Sequence, residues 1–208
     1  MAAAAKPKLG RPPASDSTKT RERILAAARD AFAELGYGEA TNRHLAAKAG
    51  ITTGALYHYY DSKPELYRAV VAEAQRVISE RFTCAMNSSP RFLDQLEAVL
   101  EAAHELNRED PSLARFYQGV RLEVVRYDEL RQVMVGAVRV TPDVVVMLAE
   151  SAAATGAVYP EALPLLRPLL RTIFVGLVDA VSEDDNTHRQ AVDGVKLLLE
   201  GRLIKPSA

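Results

Sequence analysis

The chain has 208 residues, 48% hydrophobic and 25% charged, enough apolar mass for a core in one or two domains. Its single cysteine, Cys84, excludes an intrachain disulfide framework and fits a reducing compartment. The formal net charge of −1 hides an asymmetry: residues 1–63 carry ten Lys/Arg against six Asp/Glu, and residues 64–208 carry sixteen against twenty-one. A basic first third on a mildly acidic remainder suggests a head that meets a polyanion and a body with another task. No apolar leader opens the chain, and no uncharged run reaches the roughly 18 residues of a membrane helix. A cytoplasmic location without a membrane partner is therefore expected.

Residues 1–17, rich in Ala, Pro and Lys, read as a basic disordered arm. From Thr18 the pattern turns helical, with Ile24, Ala28, Ala31, Phe32 and Leu35 on one stripe and Gly36 as a stop. A short helix after Thr41 carries Leu45, Ala46 and Ala49; Gly50 turns the chain, and a third short helix starts near Thr52. Ser62-Lys63-Pro64-Glu65 has the form of a capping box and opens a long helix to about Cys84. Further helices are expected from Pro90 to Leu106, from Pro111 to Arg126, and over 128–155 with a break at Thr141-Pro142. The last two should cover 161–182 and 187–203. Period-two runs are absent, so the expected fold class is all-α: an N-terminal three-helix head over 18–62 and a helical body over 63–208.

Two short helices joined by a glycine turn form a helix-turn-helix unit, whose second helix enters the major groove. On a helical wheel Leu56 and Tyr60 fall on the inner face. Thr53, Gly54, Tyr57 and His58 project outward, with Tyr59 at the flank. Gly54 early in a helix costs about 1 kcal/mol relative to Ala, a choice that close approach to another surface would explain. Hydroxyls and an imidazole can bond phosphates or base edges.

The run RERILAAARDAFAELGYGEATNRHLAAKAGITTGALYHYYDSKPEL, residues 21–66, resembles the N-terminal domain of the TetR family of bacterial transcriptional regulators. The marks are ILAAA, F-x-x-x-GY, T-x-x-x-LA-x-x-AG and G-x-LYxYYxxKxxL, in order and at family spacing. The resemblance implies that Thr41 caps the second helix and bonds phosphate, with Asn42 and Arg43 reaching phosphate or a base edge. It places Thr52, Thr53, Gly54 and His58 nearest the bases and gives Tyr57, Tyr59 and Lys63 the phosphates. Tyr59 stands where the family often has His, and Tyr60 where Phe is common.

A rival pattern lies in EAVLEAAHEL, where Glu97, Glu101 and His104 share a helical face with the Glu-x-x-His spacing of di-iron bundles. The other histidines are His44, His58 and His188, and none follows a glutamate by three, so the second half of such a site is missing. No nucleophile elbow or phosphate loop is present. No catalytic residue, metal or cofactor is expected.

The body's Met and aromatic residues read mainly as core. TetR-like bodies also hold a ligand cavity, so the resemblance implies a pocket among Phe82, Met86, Phe92, His104, Phe116, Tyr117, Arg121, Met134, Met147 and Phe174, with Arg126 and Arg139 as further polar candidates. The last two helices are apolar on more than one face. Leu169, Leu170, Ile173, Phe174, Leu177, Val195, Leu198 and Leu199 are expected to pair with a twofold mate.

These readings lead to a homodimeric repressor on a pseudo-palindromic double-stranded operator, released by a small-molecule effector through helix 63–84. An activator of the same fold is the alternative. A helical carrier or enzyme with a vestigial head is a distant third.

Overall fold

The computed structural model describes residues 14–134, 143–180 and 184–204, and among these the fold is all helical. Helix α1 (Ala14–Glu39) begins four residues before the expected start. Of the arm expected over 1–17, residues 1–13 lie outside the described residues, and 14–17 are already helical. Regular helix stops where expected, at Gly36, whose φ of 73° and ψ of 169° suit glycine.

Three local signals set the next elements. Thr41 caps α2 (Asn42–Lys48) by accepting from His44 N, and Thr52 caps α3 (Thr53–Tyr59) by accepting from Ala55 N. Between them Gly50 turns the chain at φ 66°. Ser62 caps α4 (Lys63–Met86) by accepting from Glu65 N. The reciprocal half of the capping box is replaced, since Glu65 pairs with Arg68 at 2.7 Å instead.

The body comprises α5 (Phe92–Glu109), α6 (Pro111–Arg126), α7 (Asp128–Val133), α8 (Asp143–Thr155), α9 (Leu163–Ala180) and α10 (Asp185–Leu199). A short 3-10 turn, Pro160–Ala162, precedes α9. The interruption expected at Thr141-Pro142 lies outside the described residues, as does Arg139. The last helix begins and ends earlier than expected: Asp184 caps it by accepting from Thr187 N, and the helix closes before Gly201.

Two apolar clusters organise the chain. The first joins the head to the body: Ile24, Phe32, Leu45 and Leu56 pack with Tyr67 and Val70 of α4, Phe116 and Val120 of α6, and Leu130 of α7. Phe32 and Tyr67 meet edge to face with centroids 4.9 Å apart, and Tyr67 meets Phe116 at 5.3 Å. Burying each such ring contributes about 2–3 kcal/mol, so α6 stabilises the head directly. The second cluster lies wholly in the body, with Phe82, Leu96, Leu100, Leu148, Leu170 and Leu177 among its members.

Candidate nucleic-acid interface and effector cavity

Helices α2 and α3 divide their side chains as the wheel requires. Leu56 and Tyr60 are buried, Gly54, Tyr57 and His58 are exposed, and Thr53 and Tyr59 are half-buried. Thr41, Arg43 and Thr52 are exposed beside them, so these residues form one continuous polar face. Asn42, the first residue of α2, donates from Nδ2 to Tyr57 Oη at 2.6 Å. That bond fixes the Tyr57 ring across the turn and leaves the phenol hydrogen free to donate outward. A Cβ added at Gly54 would meet nothing in the protein nearer than Thr52 Oγ1 at 3.9 Å. The protein's own packing therefore does not require glycine there, although the helix is weakened by it.

Lys63 is placed differently from the phosphate-gripping residue expected. Its ammonium turns inward, donating to the carbonyl of Tyr37 at 2.8 Å and lying 4.2 Å from the Tyr37 ring centroid. Burial depresses its pKa, and Glu129, Glu123 and Glu39 oppose that shift. Tyr37 is the hub of this junction. Its backbone N–H donates to Glu123 Oε1 at 3.0 Å, and its hydroxyl donates to Glu129 Oε1 at 2.9 Å. Burial, helped by the Glu129 carboxylate, pushes the Tyr37 phenol far above its ordinary value.

The body holds a cavity of about 430 Å³ between α4, α5, α6 and α9. Of the ten residues expected at a pocket, Phe82, Tyr117, Arg121 and Phe174 line it. Phe116 and Met134 belong instead to the head–body cluster, and Met86, Phe92 and Met147 to the packing of the second cluster. His104 is buried behind the wall, its Nδ1 3.0 Å from Nδ1 of His188, which does line the cavity. The two imidazoles stack at 5.3 Å; burial, then the neighbouring His104, depress the His188 pKa and favour its neutral form. Arg126 is exposed at the end of α6, with its guanidinium 5.8 Å from the Tyr127 ring, and does not line the cavity.

The Glu-x-x-His pattern resolves into ion pairing. Glu101 accepts from Arg189 at 2.7 Å and is paired with Lys196; Arg189 first, then Lys196, hold its pKa at about 2. Arg189 also binds Asp193 at 2.7 Å, so α5 and α10 are laced together. Among the described residues, no group of three or more His, Cys, Asp or Glu is placed to hold a metal ion.

On α9 the expected interface residues separate by face. Leu170, Phe174 and Leu177 are buried within the protomer, the last two on the cavity wall, while Leu169 is 54% exposed. Ile173, Val195 and Leu199 are half-buried against the second cluster, and Leu198 is 53% exposed. Phe174 and Leu177, expected at the centre of a subunit contact, turn inward and are covered within the protomer. No helix among the described residues is long and apolar enough to cross a membrane.

A helix-turn-helix head with a polar outward face, on an all-helical body, is the architecture of a DNA-binding regulator. Residues 24–70 match the family model for bacterial regulatory proteins of the tetR family. Over 112 residues, 54% of this chain, it is 32% identical to the HTH-type transcriptional regulator SrpR of Pseudomonas putida, covering 53% of that protein. An equal identity over 112 residues covers 84% of TtgW, an uncharacterized HTH-type transcriptional regulator of the same species. TtgW apart, the chain spans about half or less of the length of the curated relatives it matches. Among solved structures, the fatty acid degradation regulator FadR of Bacillus halodurans superposes with a TM-score of 0.70 at 22% identity, covering 90% of this chain and 97% of that one. The chain belongs to the TetR family.

Proposed function

We propose that the protein is a sequence-specific DNA-binding transcriptional regulator, a homodimeric repressor released from a pseudo-palindromic operator by a small-molecule effector. Residues 18–62 serve as the head and 63–208 as the effector and dimerisation body. The observation that carries the reading is Gly54: a helix-weakening glycine, with open space where its side chain would be, at the centre of an exposed polar face. A duplex backbone approaching that face explains the choice. Thr52, Thr53, Gly54 and His58 would meet base edges. Thr41, Asn42, Arg43, Tyr57 and Tyr59 would surround them toward the phosphates, with Lys63 bracing the head from behind.

The same logic supports a twofold mate on the outer faces of α9 and α10. Leu165, Leu169 and Leu198 are exposed there, and a Cβ added at Gly194 would meet nothing within 4 Å. A small residue beside exposed leucines suits the close approach of a second helix pair.

Operator selection from random duplexes, followed by titration in salt, tests the function. Affinity should fall by a factor on the order of 10³ to 10⁵ between 50 and 200 mM salt if about six to ten phosphates are contacted. Tyr57→Phe should weaken all sequences alike. His58→Ala should relax preference at particular base pairs by about 1–3 kcal/mol. Affinity independent of salt, or no enrichment of any sequence, would remove the DNA-binding assignment.

A further inference from the structure

Two residues that line the cavity each carry a buried polar atom without a partner. Gln75 Nε2 on α4 and Asn107 Oδ1 on α5 are shielded from solvent and make no hydrogen bond among the described residues, and both residues line the cavity. Asn107 as a whole is only 8% exposed. Buried polar groups in folded proteins are nearly always paired, so two orphans on one wall call for an occupant that pairs them. One orphan is a donor and the other an acceptor.

The remaining wall narrows the choice. The cavity is also lined by Ile78, Phe82, Leu106 and Phe174, so most of the occupant must be apolar. The wall's charged groups are either engaged or in water. Asp110 is paired with Arg29, Asp179 accepts from Gln118 at 3.0 Å, and Arg121 and Arg171 are exposed. His188 is held toward its neutral form by burial and by His104. Among the described residues, no buried cation on this wall is left to balance an anion.

Building on the effector cavity proposed above, we infer that the effector is a neutral, largely apolar molecule whose one polar end both donates and accepts a hydrogen bond, as a primary amide or an alcohol does. Its N–H or O–H donates to Asn107 Oδ1, and its oxygen accepts from Gln75 Nε2. A carboxylate of equal length has no donor and sets its negative oxygen against the Asn107 carbonyl. Sites built to hydrogen-bond a group discriminate strongly against the analogue that lacks it.

Calorimetric titration of the full chain with dodecanamide, dodecanol and dodecanoate tests this, with operator affinity measured in parallel. The amide and the alcohol should bind at least about tenfold more tightly than the carboxylate. Asn107→Leu should erase that preference while keeping a wild-type or higher urea midpoint, because a near-isosteric apolar side chain removes the orphan. Gln75→Leu should weaken all three probes, since each offers an acceptor. Dodecanoate binding as tightly as the amide, no binding by any probe, or an Asn107→Leu variant that keeps the preference would overturn the ligand class. An amide that binds with the expected preference but leaves operator affinity unchanged would overturn effector release and leave the ligand class standing. A carboxylate that binds best and releases the operator would do the reverse.

Discussion

The same substitution at Leu177 and at Leu169, eight residues apart on α9, should break two different things. Leu177 is 4% exposed, so Leu177→Glu forfeits about 2 kcal/mol of apolar burial and sets a carboxylate among Phe82, Phe174 and their neighbours. With the penalty for an unpaired buried charge, the loss is on the order of 4–6 kcal/mol, a large share of a typical domain's stability. Leu169 is 54% exposed in the protomer, so Leu169→Glu there costs at most about 1 kcal/mol. If the outer face of α9 meets a twofold mate, two carboxylates enter that contact. At about 2–3 kcal/mol each, the dimer weakens by roughly three to four orders of magnitude. Urea unfolding followed by circular dichroism reads the first effect, and sedimentation across protein concentration reads the second. Leu177→Glu should lower the unfolding midpoint sharply, and Leu169→Glu should keep it and yield folded monomers. A Leu169→Glu dimer of unchanged affinity, or a Leu177→Glu protein as stable as the wild type, would refute the assignment of faces.

Two further outcomes test the Glu101 network and the Lys63 contact. Glu101 has its folded-state pKa lowered from 4.5 to about 2 by Arg189 and Lys196, so its contribution is present above the unfolded pKa and fades as pH falls through the folded value. Discounted for the one-third exposure of its side chain, Glu101→Gln should cost about 1–2 kcal/mol at neutral pH and less than half of that near pH 3; a difference constant across that range would contradict the network. Lys63→Met should cost about 1–2 kcal/mol by leaving the Tyr37 carbonyl unpaired, with DNA affinity per folded molecule little changed. Loss of affinity at full stability would instead return Lys63 to the phosphates.

What the sequence made legible was local. Thr41 and Ser62 cap the helices they were expected to cap, because a cap depends on a side chain and a backbone N–H only two or three residues on. The wheel over 52–60 succeeded because Leu56 and Tyr60 are the only fully buried positions in that stretch. On α9 the apolar residues are spread over more than one face, and periodicity does not distinguish the face the protomer keeps; hence the inward turn of Phe174 and Leu177 was not legible. The hidden polar groups did leave a trace. Gln75 follows Val71 and precedes Ile78 and Phe82, Asn107 ends the stripe of Leu96, Leu100 and Ala103, and His188 opens that of Val192, Val195 and Leu199. Each is a polar intrusion at core spacing, which marks a group that must find a partner inside. The Lys63–Tyr37 contact left no such mark, because it depends on where α6 and α7 set their glutamates.

That dependence on α6 bears on how a filled cavity could reach the head. The expected route was α4, which runs from beneath the head to the cavity. The contacts add α6, which is fixed to α1 at both ends. Near its start, Arg29 of α1 pairs with Asp110, which also lines the cavity, and donates to Ser112 Oγ at 3.2 Å. Toward its far end, Glu123 accepts from the Tyr37 backbone, and a Cβ at Gly36 would lie 2.9 Å from Glu123 Oε1, so a side chain there would displace that carboxylate. Between these anchors, Leu113, Val120 and Arg121 of α6 face the cavity while Phe116 packs under Phe32 and Tyr67. A close-packed interior transmits displacement instead of absorbing it. On the effector-release reading, a ligand that prefers a shifted α6 therefore also prefers a shifted α1, and with it a different separation of paired heads. The coupling can be no larger than the ligand's preference for that arrangement, so a ligand indifferent to the position of α6 would bind without releasing DNA.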